Sequence, residues 1–366
     1  MKNKERLFSS IFILVSVFLV VGTVLFIVNF RMLRKNSATK VGAVFIGASD
    51  DKGWNESHYK GIGSACVTHS CIFMYKTNIP EEEEPLNNAV TELVDQGCSI
   101  VFLTSYGYGA FTDSIARKYP DVAFYSISGD FSEKNCVSYF ARIYQVRYLS
   151  GMVAGSMTES GILGYVTAMA IPETVRSINA YALGACRVNP DARVVVKYTG
   201  GWDDREKEEG AAKELIAEGA DVMTFHEDRP YAIDLADEMG IYTTGYDYVS
   251  KDYSDKFLTA AVFEWNILYR KVLGDFLSGR ANFSNDYWLG LDEGCVSLYP
   301  CSVLVPERAK RLVKQEQERI KTWRDVFSGE IYDNTGVLRC HADEGIGDDE
   351  LFNSIDWYVE GVVIHE

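Results

Sequence analysis

The sequence predicts an α/β protein of two doubly wound lobes, each a parallel sheet with helices on both faces, preceded by one N-terminal transmembrane helix. Three observations carry this. Short β-branched apolar runs alternate with helical patterns along residues 41–247, and the alternation comes in two blocks. The chain has 366 residues, and roughly 150 residues per domain gives room for two lobes. Residues 7–30 form an uncharged run unlike anything after it.

That run, LFSSIFILVSVFLVVGTVLFIVNF, is longer than the roughly 7–15-residue apolar region of a cleavable signal. It matches the roughly 20 residues that span a bilayer, so an uncleaved anchor over residues 1–30 is expected. Lys2, Lys4 and Arg6 flank it on one side, and Arg31, Arg34, Lys35 and Lys40 on the other, so the positive-inside rule does not set its orientation. Residues 31–39 read as a polar linker.

The alternation then begins. VGAVFIG (41–47), CIFMYKT (71–77), SIVFLTS (99–105) and VAFYSIS (122–128) read as buried parallel strands. Helical patterns at 54–66 and 86–97 lie between them, the second stopping at Gly97. The second block repeats the cycle with strands at 162–169, 192–200, 220–226 and 241–247. Its helices lie at 172–187, opened by Pro172, at 204–218 and at 230–239.

Composition narrows the function. The net charge is −16, and residues 1–40 contribute +6, which leaves −22 on the rest. A body that acidic repels phosphate backbones, which argues against nucleic acid as a partner. EEEEP (81–85) reads as a solvated turn. GIGSAC (61–66) lacks the third glycine of a dinucleotide fingerprint and sits inside a helix. No Walker A loop, HExxH or G-x-S-x-G is present, and no catalytic residues are assigned. Eight cysteines include the close pairs CVTHSC (66–71) and CVSLYPC (295–301). Separate thiols lead over a local disulfide, and a zinc site lacks its second pair of ligands. No metal and no cofactor is expected.

Ligands of doubly wound sheets bind beyond the carboxyl ends of the strands. The residues there form a consistent set: Asp50, Asp51, Trp54 and Asn55 after the first strand, and Ser105 and Tyr106 after the third. In the second block come Pro172 and Arg176, then Trp202, then His226 to Arg229, then Tyr246 and Asp247; a later helix opens on Glu264 and Trp265. Indoles and hydrogen-bonding groups on one edge suit a flat, nitrogen-rich, largely neutral ligand, with stacking at roughly 1–3 kcal/mol per platform. Each member has a plainer reading: Asp50 or Asp51 as a helix cap, His226 as a loop histidine, Trp54 and Trp202 as packing between lobes.

At these residues the sequence resembles the basic membrane protein family of ABC-transporter substrate-binding proteins, in its purine- and nucleoside-binding branch. The matching stretches include DDKGWNESHYKG (50–61), TSYGYG (104–109), SYFARIYQVRYLSGMVAG (138–155), GGWDDREKEEGAAKELIAEGADVMTFHED (200–228) and DYWLGLDEG (286–294), and the likeness runs from about residue 40 to 366. The resemblance implies a type I periplasmic-binding-protein fold whose lobes are joined by a hinge and close on ligand. It places lobe 1 at 40–136 plus 258–287, and lobe 2 at 137–257 plus 288–366. It implies stacking on Trp54 and Trp202, ribose held by Asp247, and Ser105, Tyr106, His226 and Asp228 facing the cleft; the strand-end reading adds Asn55, Arg176 and Trp265 as ligand-binding positions. Partners implied are ABC permease and ATPase subunits, with the binding domain on the extracytoplasmic side of the cell membrane.

Departures from the family pattern bear on the ligand. Ser128 stands where nucleoside-binding relatives carry an acid, and Val262 or Phe263 where they carry a lysine. Both losses favour a small free base such as adenine. No cysteine precedes Cys66, so a lipid anchor is replaced by the span at 7–30. The expected function is therefore an extracytoplasmic solute-binding protein for a purine base or nucleoside, and not an enzyme. The alternative is a membrane-tethered ligand sensor of the same fold working without a transporter.

Overall fold

The computed structural model describes residues 38–365 except 128, 130, 248, 285, 323 and 324, together with residues 16, 22 and 23. The expected span at 7–30 lies almost wholly outside these, as does Ser128. Among the described residues no helix is long and apolar enough to cross a membrane.

The first sheet has six strands in the order β11-β5-β4-β3-β1-β2, all parallel. They are β1 (Lys40–Val44), β2 (Ile72–Lys76), β3 (Cys98–Leu103), β4 (Ala123–Ile127), β5 (Cys136–Ala141) and β11 (Tyr287–Leu289). The second sheet has seven, in the order β12-β10-β9-β8-β6-β7-β15. They are β6 (Ile162–Thr167), β7 (Arg193–Tyr198), β8 (Val222–His226), β9 (Tyr242–Tyr246), β10 (Phe257–Phe263), β12 (Val296–Leu298) and β15 (Val362–Ile364). Within this sheet only β12 runs antiparallel to its neighbour, β10; β13 (Ile331–Tyr332) and β14 (Leu338–Cys340) pair antiparallel as a separate ribbon.

Helices α1 (Trp54–His69), α2 (Glu83–Asp95), α3 (Gly109–Lys118) and α8 (Trp265–Leu277) go with the first sheet. Helices α4 (Ile143–Met157), α5 (Pro172–Val188), α6 (Arg205–Ala217), α7 (Tyr231–Glu238) and α9 (Glu307–Thr322) go with the second. Pro172 opens α5, where its missing N–H costs nothing. Gly97 follows α2 with φ of 91°, a conformation that a side chain disfavours.

The expected lobe boundaries need one correction. Residues 137–141 pair within the first sheet, and 258–263 within the second, the reverse of their expected assignment. Each of these strands runs to the hinge before the chain changes lobe. The three crossings are therefore Arg142, Glu264 and residues 290–295. They brace each other: the Arg142 N–H donates to Leu289 O at 2.7 Å, and the Glu264 N–H to Cys295 O at 2.9 Å. The Arg142 guanidinium also stacks over Trp288, 4.0 Å from the ring centroid, and pairs with Asp348. Cys66, Cys71, Cys98, Cys136, Cys186, Cys295 and Cys301 are free thiols.

Candidate ligand site in the interlobe cleft

The strand ends of both sheets meet at one small cavity, at the edge where ligands of doubly wound sheets bind. The first lobe contributes Trp54, Ser105, Tyr106 and Ile127 to its lining. The second contributes Glu173, Trp202, His226, Glu227, Asp228 and Tyr246.

The first loop explains how Trp54 is held. Gly53 is the N-cap of α1, and the Asp51 carboxylate accepts from the N–H groups of Gly53, Asn55 and Glu56 at 2.9–3.0 Å. That satisfies donors which a helix start leaves unpaired, so the capping reading holds for Asp51. Trp54, the next residue after the cap, turns inward and is only 8% exposed. Its Nε1–H donates to Thr104 O at 2.8 Å. Its ring packs edge-on to His58, Phe263 and Trp265 and parallel to Phe140. Packing and cavity lining are therefore both true of this indole: the core fixes it as a wall.

The opposite wall is looser. Trp202 is half-buried, on the loop after β7, and its carbonyl accepts from the Asp228 N–H at 2.9 Å. Tyr246, at the end of β9, lies against His226 with centroids 4.0 Å apart. Tyr106 is 38% exposed at the rim. Four aromatic rings thus surround the cavity, two from each lobe.

Its polar groups include three carboxyls. Ser105 Oγ donates to Glu81 Oε1 at 2.5 Å, and the Gly107 N–H donates to the same oxygen at 2.6 Å. Glu81 is therefore a loop anchor, and the expectation of a wholly solvated acidic turn fails there. His226 Nε2 lies 3.3 Å from Glu173 Oε1, and Nδ1 lies 3.5 Å from the Tyr165 hydroxyl. Burial holds this imidazole at about 4, Glu173 only partly opposing, so it is neutral. Burial pushes the Asp228 carboxyl well above its ordinary range, and Asp51, Asp203 and Glu81 push it further. Burial does the same to Glu227, with Glu208 adding to it.

Six expected site residues meet at the cavity: Trp54, Ser105, Tyr106, Trp202, His226 and Asp228. Four do not line it. Asn55 is buried, donating to Asp51 at 2.7 Å and to Asp228 at 3.5 Å while its Oδ1 accepts from Gly47. Arg176 is fully buried, donates to the carbonyls of Leu351 and Phe352, and faces the rings of Phe140, Trp288 and Phe352. Trp265 is core, stacked on Phe263 at 4.4 Å and backed by His58. Asp247 turns to the other lobe instead, accepting from Ser57 Oγ at 2.5 Å.

Glu173, Glu227, Tyr246 and Ile127 line the cavity without having been assigned to it. The first three sit at or beside strand ends that were already singled out, so position could have found them. Ile127 is an apolar strand residue that nothing in the sequence marks.

The lobes touch across the cleft. The Trp54 N–H donates to Asp228 O at 3.3 Å, and a β-carbon on Gly53 would lie 1.7 Å from that same oxygen. This is a closed cleft, and only glycine permits the approach at residue 53.

Asp247 gives a pH prediction. It is 9% exposed, and burial pushes its carboxyl up to about 8, opposed by Ser57 and reinforced by Asp51. An unfolded aspartate titrates near 3.9, so the favourable contribution is fully present below about pH 4 and lost as pH rises to 8. His226 acts the other way, costing stability as pH falls from about 6.5 to 4. Between pH 6.5 and 8 the carboxyls act alone. The melting temperature is expected to fall across that window, and Asp247→Asn to flatten the fall; identical slopes in the two proteins would refute this role.

Comparison with known proteins shows the family. The family model described as ABC transporter substrate-binding protein PnrA-like (Bmp) matches residues 38–327. A purine-binding protein of Brucella abortus is 34% identical over 332 residues, covering 88% of this chain and 92% of its own. A putative ABC transporter glucose-binding protein of Haloferax volcanii is 31% identical over 322 residues, covering 87% and 79%. The crystal structure of a transcriptional activator of the comK gene from Bacillus halodurans superposes with a TM-score of 0.68 at 24% identity, covering 78% of this chain and 98% of that one. At that identity the superposition speaks for the fold alone. The chain belongs to the Bmp family of PnrA-like ABC transporter substrate-binding proteins, whose members bind solutes and are not enzymes.

Proposed function

We propose that the protein captures a purine base or nucleoside in the interlobe cavity and presents it to an ABC permease with its ATPase. The supporting observation is the cavity's lining: Trp54, Tyr106, Trp202 and Tyr246 offer ring faces, and Glu173, His226, Glu227 and Asp228 offer polar edges. Flat heterocycles stack on such rings, and ring nitrogens and exocyclic groups pair with such edges. The Brucella relative's name as a purine-binding protein points the same way. Within this reading a free base suits the cavity better than a nucleoside, because Asp247, the implied ribose ligand, bonds Ser57 and lies outside the lining. The apolar run at 7–30 holds the binding domain to the extracytoplasmic face of the membrane.

Titration calorimetry with adenine, adenosine, guanosine, inosine and glucose tests the reading. Micromolar or tighter binding of at least one purine is expected; binding of glucose alone, or of none of the five, overturns it. Trp202→Ala separates the walls. Its ring is half-exposed, so the variant is expected to keep its melting temperature and lose about 1–3 kcal/mol of purine affinity. Unchanged affinity would remove Trp202 from the site.

A further inference from the structure

Glu227 is the side chain of the cavity with a binding group left over. It is 2% exposed. Its Oε1 accepts from Thr199 Oγ1 at 2.7 Å, and its Oε2 is buried with no hydrogen-bond partner among the described residues. A buried carboxyl oxygen without a donor costs free energy that a ligand supplying one recovers.

The surroundings say what kind of donor. The lining holds three carboxyls, Glu173, Glu227 and Asp228, and no lysine or arginine. Its own donors are the ring N–H groups of His226 and Trp202 and the hydroxyls of Tyr106 and Tyr246, while Ser105 gives its proton to Glu81. An anionic ligand finds no lysine or arginine there. An edge with two neighbouring N–H groups meets a carboxylate in the geometry that forms paired hydrogen bonds. Among purines, the 2-amino-6-oxo pattern presents N1–H beside the exocyclic amine; removing the amine leaves one N–H, and replacing it with a carbonyl sets an acceptor against the acid.

We propose that Glu227 is a specificity-determining residue that takes the paired N–H edge of a 2-amino-6-oxopurine, so that the site selects guanine-type ligands over hypoxanthine- and xanthine-type ones. This rests on the purine reading of the cavity. Burial and the neighbouring Glu208 raise the Glu227 carboxyl well above its ordinary range, so taking the N–H pair costs the loss of its proton, and the two charge-assisted hydrogen bonds offset that cost. Sites built around a ligand N–H discriminate strongly against analogues lacking it, because their own polar group is then left unpaired.

The test is tryptophan-fluorescence titration of the purified full chain with guanine against hypoxanthine, guanosine against inosine, and xanthine. In the native protein the 2-amino member of each pair that binds is expected to be at least tenfold tighter, and xanthine weaker than either base. In Glu227→Gln, which keeps size and removes the charge, the ratio is expected to shrink to threefold or less while the melting temperature stays within a few degrees. Equal or tighter hypoxanthine binding in the native protein overturns the proposal with no variant needed. So does a ratio that survives in Glu227→Gln. Both outcomes leave the purine reading standing, whereas a protein that binds no purine at all overturns that reading and this proposal together.

Discussion

Replacing Gly53 by alanine is expected to weaken ligand binding by at least about 100-fold, about 2.7 kcal/mol, while both lobes stay folded. The added methyl group would lie 1.7 Å from Asp228 O and 2.9 Å from the carbonyl carbon. Both are backbone atoms of the opposite lobe, so neither moves aside as a flexible side chain would. The backbone at Gly53, with φ of −156°, has no left-handed requirement. The penalty is therefore steric, and it falls on closure. A ligand that bridges both lobes binds in proportion to the population of the closed state, so depleting that state lowers apparent affinity directly. Calorimetry against the best purine, alongside thermal unfolding, checks this. Full affinity in Gly53→Ala would mean that ligand is held without the closed contact between Gly53 and Asp228.

Trp54→Ala is expected to cost about 3–5 kcal/mol of folding stability, the usual range for emptying a large aromatic site, and a further 1–3 kcal/mol of ligand affinity. The two losses come from two roles of one ring. It packs on Phe140, Phe263, Trp265 and His58, and the ring nitrogen is tied to Thr104 O. It also lines the cavity. With total stability for a typical domain near 5–15 kcal/mol, the first loss alone is a large share. Denaturant unfolding measures it, and binding must be measured at a temperature where the variant remains folded. A variant as stable as the native protein would show that the aromatic cluster does not depend on this indole. Comparison with Trp202→Ala then sorts the walls: one is a fixed part of the core, the other a loop residue whose loss spares the fold.

Much of this was legible in the sequence. The alternation of apolar runs and helical patterns gave the two sheets because parallel strands buried on both faces leave an unmistakable apolar signature. The strand-end rule then brought Trp54, Ser105, Tyr106, Trp202, His226 and Asp228 to one place. What misled was the direction of individual side chains. Asn55 follows Trp54 by one residue, yet helical geometry turns it away from the cavity to bond Asp51 and Asp228. Arg176 lies one turn beyond Glu173 on the same helix, and it is Glu173 that reaches the cavity while Arg176 is covered by the carbonyls of Leu351 and Phe352, more than 170 residues away in sequence. Trp265, like Trp54, is an indole at a helix start and carries the same sequence signal, but Phe263 and His58 cover it. The lobe boundaries slipped at β5 and β10 because a strand feeding the hinge has the same composition as its neighbours, and only its pairing tells which sheet it joins.

The most direct test is to ask what the protein carries. The purified protein, denatured and extracted, can be examined by mass spectrometry for the small molecule it released. A purine base or nucleoside, at a ratio approaching one per chain, is the result expected of a closed cavity walled by Trp54 and Trp202. A hexose or an amino acid in that place would contradict it.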